Sequence, residues 1–228
     1  MLYDDYIIKL KGLAVEKDKI FTEKLVPNAK NVLGVTLPKL RELAKSIAKE
    51  TPFEFLDNVK FDIYEETFLY GLTLCYSKLN FDDMLPYLKI FISKIDNWAV
   101  CDSVTMTLRF KKIDLEKVFC LAKEYLNKES EFEKRFAIIL IMRNFLDDQH
   151  IDEVVSLIDK VDSTYYYVRM AVAWTLCEIV IKQKDIALGY IPVSHLDNFT
   201  INKAISKCND SFRVSSETKE FLKKYRRK

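Results

Sequence analysis

An all-α fold follows from three observations on this chain of 228 residues. Apolar residues recur at intervals of three and four almost everywhere. Phe136, Ile139, Leu140 and Phe145 do so, as do Val168, Ala171, Val172, Thr175 and Leu176. That is the period of a helix with a buried stripe, not the alternation of a half-buried strand. Turn-formers are scarce: four glycines and five prolines are too few for the many tight turns of a sandwich or barrel. The chain also repeats itself weakly. The heptamers starting at Tyr64, Glu133 and Tyr167 can be laid over one another, with Arg135 and Arg169 at matching places 34 positions apart.

The elements read in order as about a dozen helices with short loops. The first covers 3–25 and is broken near Gly12, and the next runs over 38–49. Thr51-Pro52-Phe53-Glu54 then offers an N-cap, a first-turn proline and a capping-box glutamate for a helix over 52–58. A helix over 62–77 follows. Asn80-Phe81-Asp82-Asp83 marks the start of the helix over 81–93, with acids placed to suit the helix dipole. Further helices are expected over 97–109, 114–126, 131–146, 151–159, 164–182, 185–191 and 200–208. Ser215 or Ser216, followed by Glu217, opens the last, over 216–226.

A period in this range built of helix pairs is the signature of an α-solenoid. The tetratricopeptide consensus is absent, so a degenerate HEAT-like repeat fits better, with residues 1–228 forming one repeat domain. No low-complexity segment or long linker divides them. Stacked helix pairs of this kind form a right-handed superhelix whose concave face binds extended partners. The alternative is a generic helical bundle.

Composition sets bounds. With 49% hydrophobic and 13% aromatic residues the chain can bury a sizeable core. A net charge of +2 neither demands nor excludes nucleic acid. Lys111, Lys112, Lys134, Arg143, Lys203, Lys207 and the tail from Lys223 to Lys228 supply cations for phosphates if they fall on one side. The five cysteines (Cys75, Cys101, Cys120, Cys177 and Cys208) are scattered, and with only His150 and His195 there is no zinc spacing. A reducing cytosol suits buried thiols. The N-terminus does not read as a signal peptide, and no stretch reaches the roughly 18 apolar residues of a membrane span.

One segment does not read as ordinary helix surface or core: Asp96-Asn97-Trp98-Ala99-Val100-Cys101-Asp102. Trp98 and Asp102 are four apart, so they share a helix face. An apolar slab beside a carboxylate suits a flat, positively charged partner. A core tryptophan beside a solvated aspartate is the plain alternative.

Five signals together resemble the AlkD-like DNA alkylation repair family, bacterial HEAT-repeat proteins that include DNA glycosylases. They are Val32-Leu33-Gly34-Val35-Thr36-Leu37-Pro38-Lys39-Leu40-Arg41; Trp98 with Asp102; Lys134-Arg135-Phe136-Ala137; the run from Tyr166 to Trp174; and the order of all these in one helical array, over about Phe21 to Arg213. The resemblance implies a cytoplasmic, nucleoid-associated monomer that acts on alkylated or distorted double-stranded DNA, without metal or organic cofactor. It implies that Asp102 is the catalytic group near C1′ of the damaged nucleotide. Trp98 and Trp174 would face its deoxyribose and backbone, and Arg135 would hold a phosphate. Lys134 and Arg169 would belong to the same DNA-binding set. The implied activity is excision of N3- or N7-alkylated purines without a base-flipping pocket.

Three places depart from the family's pattern. Cys177 stands where active members carry a second arginine, three residues after the later tryptophan. The stretch from Glu23 to Asn31 carries no aromatic, and its Pro27 should break the helix. Thr36 replaces a longer polar side chain. These keep open a second reading, a catalytically inactive scaffold that binds DNA structures or a protein partner through the concave face.

Overall fold

The computed structural model describes residues 1–161 and 164–228. Among them every regular element is helical: α1 (Tyr3–Gly12), α2 (Glu16–Leu25), α3 (Leu37–Glu50), α4 (Pro52–Asn58), α5 (Tyr64–Tyr76), α6 (Phe81–Ser93), α7 (Trp98–Thr105), α8 (Leu115–Leu126), α9 (Glu131–Asn144), α10 (Ile151–Asp159), α11 (Tyr166–Lys182), α12 (Lys184–Tyr190), α13 (Asn198–Asp210) and α14 (Ser216–Lys223), with 3₁₀ turns at Lys112–Asp114 and Ile191–Val193. The all-α expectation holds, and the elements fall close to the expected spans. The break near Gly12 separates α1 from α2. Pro27 forces Val26 out of helical backbone, which ends α2 at Leu25.

Two compact units divide the chain, residues 1–116 and 117–228. In the first, α3 packs most extensively on α5, and α5 in turn on α6 and α7. In the second, α11 packs on both α9 and α13, with α12 closing against α11 and α14 against α13. In each unit an element therefore meets the next but one in sequence. That alternation is what stacked helix pairs produce.

Two glycines permit the packing of the first unit. Gly34 has φ +87°, and a Cβ there would lie 2.4 Å from both the Lys19 nitrogen and the Val15 oxygen. Gly71, on α5, lets α6 and α7 come close: a Cβ would stand 2.6 Å from Phe91 and 2.7 Å from Val104. The Gly34 loop is held by a carboxylate. Glu65, fully buried on α5, accepts hydrogen bonds from the amides of Leu33 (3.0 Å), Gly34 (2.8 Å) and Val35 (3.1 Å). Glu66 beside it accepts from the amides of Asp62 and Ile63 and from the Tyr3 hydroxyl, which pins α1 to α5.

Side-chain caps start four of the helices among the described residues, at Asn80, Asn97, Asp197 and Ser215. The Asn80 side chain accepts from the Asp83 amide and the Ser215 side chain from the Thr218 amide, as those sequences imply. The capping box at Thr51 does not form. The Thr51 hydroxyl instead bonds the Met1 carbonyl (3.1 Å) and the Tyr6 hydroxyl (2.9 Å), tying down the N-terminus. α7 ends at Thr105 rather than 109, and the Arg109 side chain folds back onto the carbonyls of Met106, Thr107 and Leu108 that follow. The basic tail is not simply solvated. Arg227 donates to the carbonyls of Leu196 (2.6 Å) and Ser194 (2.8 Å), while Asn202 bonds its backbone on both sides.

Both histidines serve the framework. His150 Nδ1 lies 2.7 Å from Asp147, and His195 Nδ1 lies 2.7 Å from Asp159. Burial alone pushes the Asp159 carboxyl up, but hydrogen bonds from Tyr190 and His195 outweigh it and hold the group below its ordinary range. A carboxyl depressed in the folded state stabilises it above the unfolded pKa, and that contribution is lost as pH falls through the folded one. Thus Asp159→Asn should lower the thermal midpoint at neutral pH. The gap from wild type should close as pH is taken below about 3.8, the ordinary carboxyl value. Melting curves from pH 7 to 3 check this.

Candidate functional site

In the first unit the candidate residues lie on α7. Asn97 starts that helix: its side chain accepts from the Val100 amide at 3.0 Å, and its own amide donates to Asp96 at 2.7 Å. Val100, Cys101, Val104 and Thr105 face the core, and Gly71 of α5 packs closely on Val104. The other side of α7 is left partly open. Trp98, Ala99, Asp102, Ser103 and Met106 are all half-buried. Trp98, Asp102 and Met106 follow one another at four-residue steps, so indole, carboxylate and thioether form one stripe. Trp98 and Asp102 are both intermediate between core and full exposure. Asn97 is itself almost wholly buried. Asn97→Ala should therefore destabilise the protein by about 1–2 kcal/mol through loss of the cap, measurable as a drop in urea midpoint.

The Val32–Arg41 motif, by contrast, supports rather than lines this surface. Its Gly34 loop is the one held by Glu65. Arg41, on α3, reaches Thr107 just past the end of α7 (3.4 Å). Thr36 caps α3 by its backbone alone. The Glu23–Asn31 stretch has no aromatic, but one stands just before it. Phe21 on α2 is 66% exposed.

In the second unit, α11 carries a comparable open stripe. Tyr167, Met170, Trp174 and Glu178 are half-buried, while Val168, Ala171, Val172, Thr175 and Leu176 are core. Trp174 therefore lies on the partly open side of α11, in line with Tyr167. Arg169 is half-exposed. It stands 4.0 Å from Asp197 and 4.5 Å over the Phe199 ring. Arg135 and Lys134, on α9, are each only 5% exposed. The Arg135 guanidinium donates to the Tyr167 carbonyl at 2.5 Å and lies 5.9 Å from the Tyr167 ring. Glu131 accepts from the Tyr167 amide at 2.6 Å, so α9 holds the start of α11 from two sides. The spacing of 34 between Arg135 and Arg169 thus hides a difference in surroundings, with Arg169 much the more open.

Cys177 is buried on α11, close to the likewise buried Cys208 of α13. An arginine would not fit at this buried contact. The nearby surface cation is Arg213, which pairs with Glu178.

Sequence reading gave no role of their own to the aromatics at the starts of the second unit's long helices: Phe132 on α9, Tyr166 and Tyr167 on α11 (noted only as part of a motif), and Phe199 on α13. Their rings form a connected series, with Phe132 to Tyr167 at 5.4 Å, Tyr167 to Tyr166 at 5.2 Å and Tyr166 to Phe199 at 6.0 Å. The signal that reveals them is the repeat itself, because they recur at the step that relates Arg135 to Arg169.

Within the first unit a half-exposed indole stands beside a carboxylate; within the second, taken by itself, arginines stand beside aromatic rings, which suits flat faces with an anionic backbone. Comparison with individual curated proteins returns no match. The family model described as DNA alkylation repair enzyme matches residues 7–208. Most of the chain is covered, so this protein belongs to the DNA alkylation repair enzyme family, with a role in the repair of alkylated DNA.

Proposed function

We propose that the protein is a monofunctional DNA glycosylase that releases N3- and N7-alkylated purines from double-stranded DNA. The observation that carries this reading is the α7 stripe, where Trp98 and Asp102 stand one turn apart on the partly open side of a helix whose other side is core.

Alkylation at N3 or N7 makes the purine cationic and a good leaving group. The N-glycosidic bond breaks with its electron pair going to the base, and charge of oxocarbenium type develops on the sugar. In this reading the Asp102 carboxylate stabilises that charge and directs a water to C1′. The water adds to C1′ and loses a proton, leaving an abasic site and a neutral free base. Trp98 offers an indole face to the polarised C–H surface of the sugar. Trp174 and Arg169, on the second unit, face the DNA backbone. Arg135 and Lys134 belong to the same set, with Arg135 also fixing Tyr167 at the head of α11. Phe21 on α2 supplies an exposed aromatic near the N-terminus. The protein acts as a monomer in the cytoplasm, associated with the nucleoid when bound. Its five free cysteines fit a reducing compartment, and no helix among the described residues is long and apolar enough to cross a membrane.

The buried Cys177 favours one second reading, a scaffold that binds DNA without turnover. The two separate on the products formed from methylated duplex DNA. Free methylpurine and abasic sites accumulating in equal number is the expected outcome. Binding that weakens log-linearly with salt, with no base released above the spontaneous rate, would assign the protein to the scaffold class.

A further inference from the structure

The second unit repeats a two-residue device. Phe132 and Arg135 stand one turn apart at the head of α9, Tyr166 and Arg169 at the head of α11, and Phe199 and Lys203 at the head of α13. Successive aromatics are 34 and 33 positions apart. α9, α11 and α13 pack in that order, so the device falls on three neighbouring helices. Apolar rings this large normally go to the core, yet Tyr166 is 50% and Phe199 37% exposed.

The rings are held open by what surrounds them. Phe199 has the Arg169 guanidinium over it at 4.5 Å. Tyr167 is fixed at its backbone by Glu131 and Arg135 and at its ring by Phe132. Arg135 is buried and donates to the Tyr167 carbonyl, but the other two cations are open to a ligand. Arg169 reaches Asp197 only at the edge of ion-pair distance, 4.0 Å, and its side chain is 30% exposed. Lys203 is half-exposed.

We infer that this ladder is a binding surface for a nucleic-acid strand with unpaired bases. The argument is chemical complementarity. A paired duplex hides the faces of its bases and offers exposed rings little to stack on. A strand with open bases offers π-faces to Tyr166 and Phe199, and phosphates to Arg169 and Lys203. The inference rests on the DNA-directed reading above and adds to it a preference for opened strand beside duplex.

The test is fluorescence anisotropy with a labelled ten-nucleotide oligo(dT) and a fully paired duplex of equal length, over a salt series. The proteins compared are wild type, Tyr166→Leu, Phe199→Leu, Tyr166→Phe and Arg169→Gln. Loss of ring stacking should weaken oligo(dT) binding about tenfold in each leucine variant, with duplex binding unchanged and Tyr166→Phe close to wild type. Arg169→Gln should weaken both and lower the salt slope by about 1. These side chains are surface ones, and equal helical circular dichroism across the set verifies folding. If the leucine variants bind oligo(dT) as wild type does, or if wild type binds duplex but not oligo(dT), the ladder inference fails while the repair reading stands. Wild type that binds neither, or that prefers an acidic aromatic peptide, overturns the inference and counts against the DNA reading as well.

Discussion

Glu65→Ala should destabilise the protein by about 4 kcal/mol. Three consecutive amides, those of Leu33, Gly34 and Val35, donate to that one buried carboxylate. Removing it leaves them with no acceptor. A hydrogen bond to a charged group contributes about 1.5–3 kcal/mol, and a buried donor left unsatisfied costs about 1–3 kcal/mol. Against a domain stability of roughly 5–15 kcal/mol, the variant should unfold at far lower urea. Glu65→Gln retains a carbonyl acceptor and should lose less. Gly34→Ala acts on the same device from the other side, since its φ of +87° disfavours any side chain and its Cβ would meet the backbone of Val15 and Lys19. The two changes share one loop, so their effects should not add. A urea midpoint for Glu65→Ala equal to that of wild type would show that the loop is held by something else.

Glu65 also marks where sequence reading stops. Within Tyr64-Glu65-Glu66-Thr67 the two glutamates resemble first-turn surface acids. Nothing local shows that the partners of Glu65 lie 30 to 32 positions earlier. The family-like Val32–Arg41 motif is legible as a pattern, but its physical meaning, a glycine turn clasped by a carboxylate, is not. Arg135 teaches the same lesson. Its match to Arg169 is visible at a spacing of 34, yet its burial depends on how α11 closes over α9. What was legible is what local chemistry decides. Helix starts at Asn80 and Ser215 follow from capping side chains, and the break before Pro27 from proline sterics. The shared face of Trp98 and Asp102 follows from helix geometry over a single turn. Thr51 failed as a cap because a distant partner, Tyr6, competes for its hydroxyl.

The second large effect concerns that turn. Asp102→Asn is nearly isosteric and keeps a side chain of equal length at the same place on α7, so fold and DNA affinity should be retained. What is lost is the negative charge. Removing a single preorganised electrostatic group from an active site typically costs about 10²–10³ in rate, and the same drop is expected in base release. Trp98→Ala should act differently. It removes a contact to the substrate that serves binding as well as chemistry, and so should weaken affinity for alkylated duplex along with the rate. The charge and the slab are thus separable in kinetics although they are one turn apart in structure.

The decisive measurement is single-turnover release of N3-methyladenine and N7-methylguanine from methylated duplex DNA, with wild type and Asp102→Asn in molar excess over lesions. Release by wild type that falls at least a hundredfold in the variant, at equal DNA occupancy, is the expected result. Equal rates in the two proteins, or no release by either, would contradict a glycosylase built on Asp102.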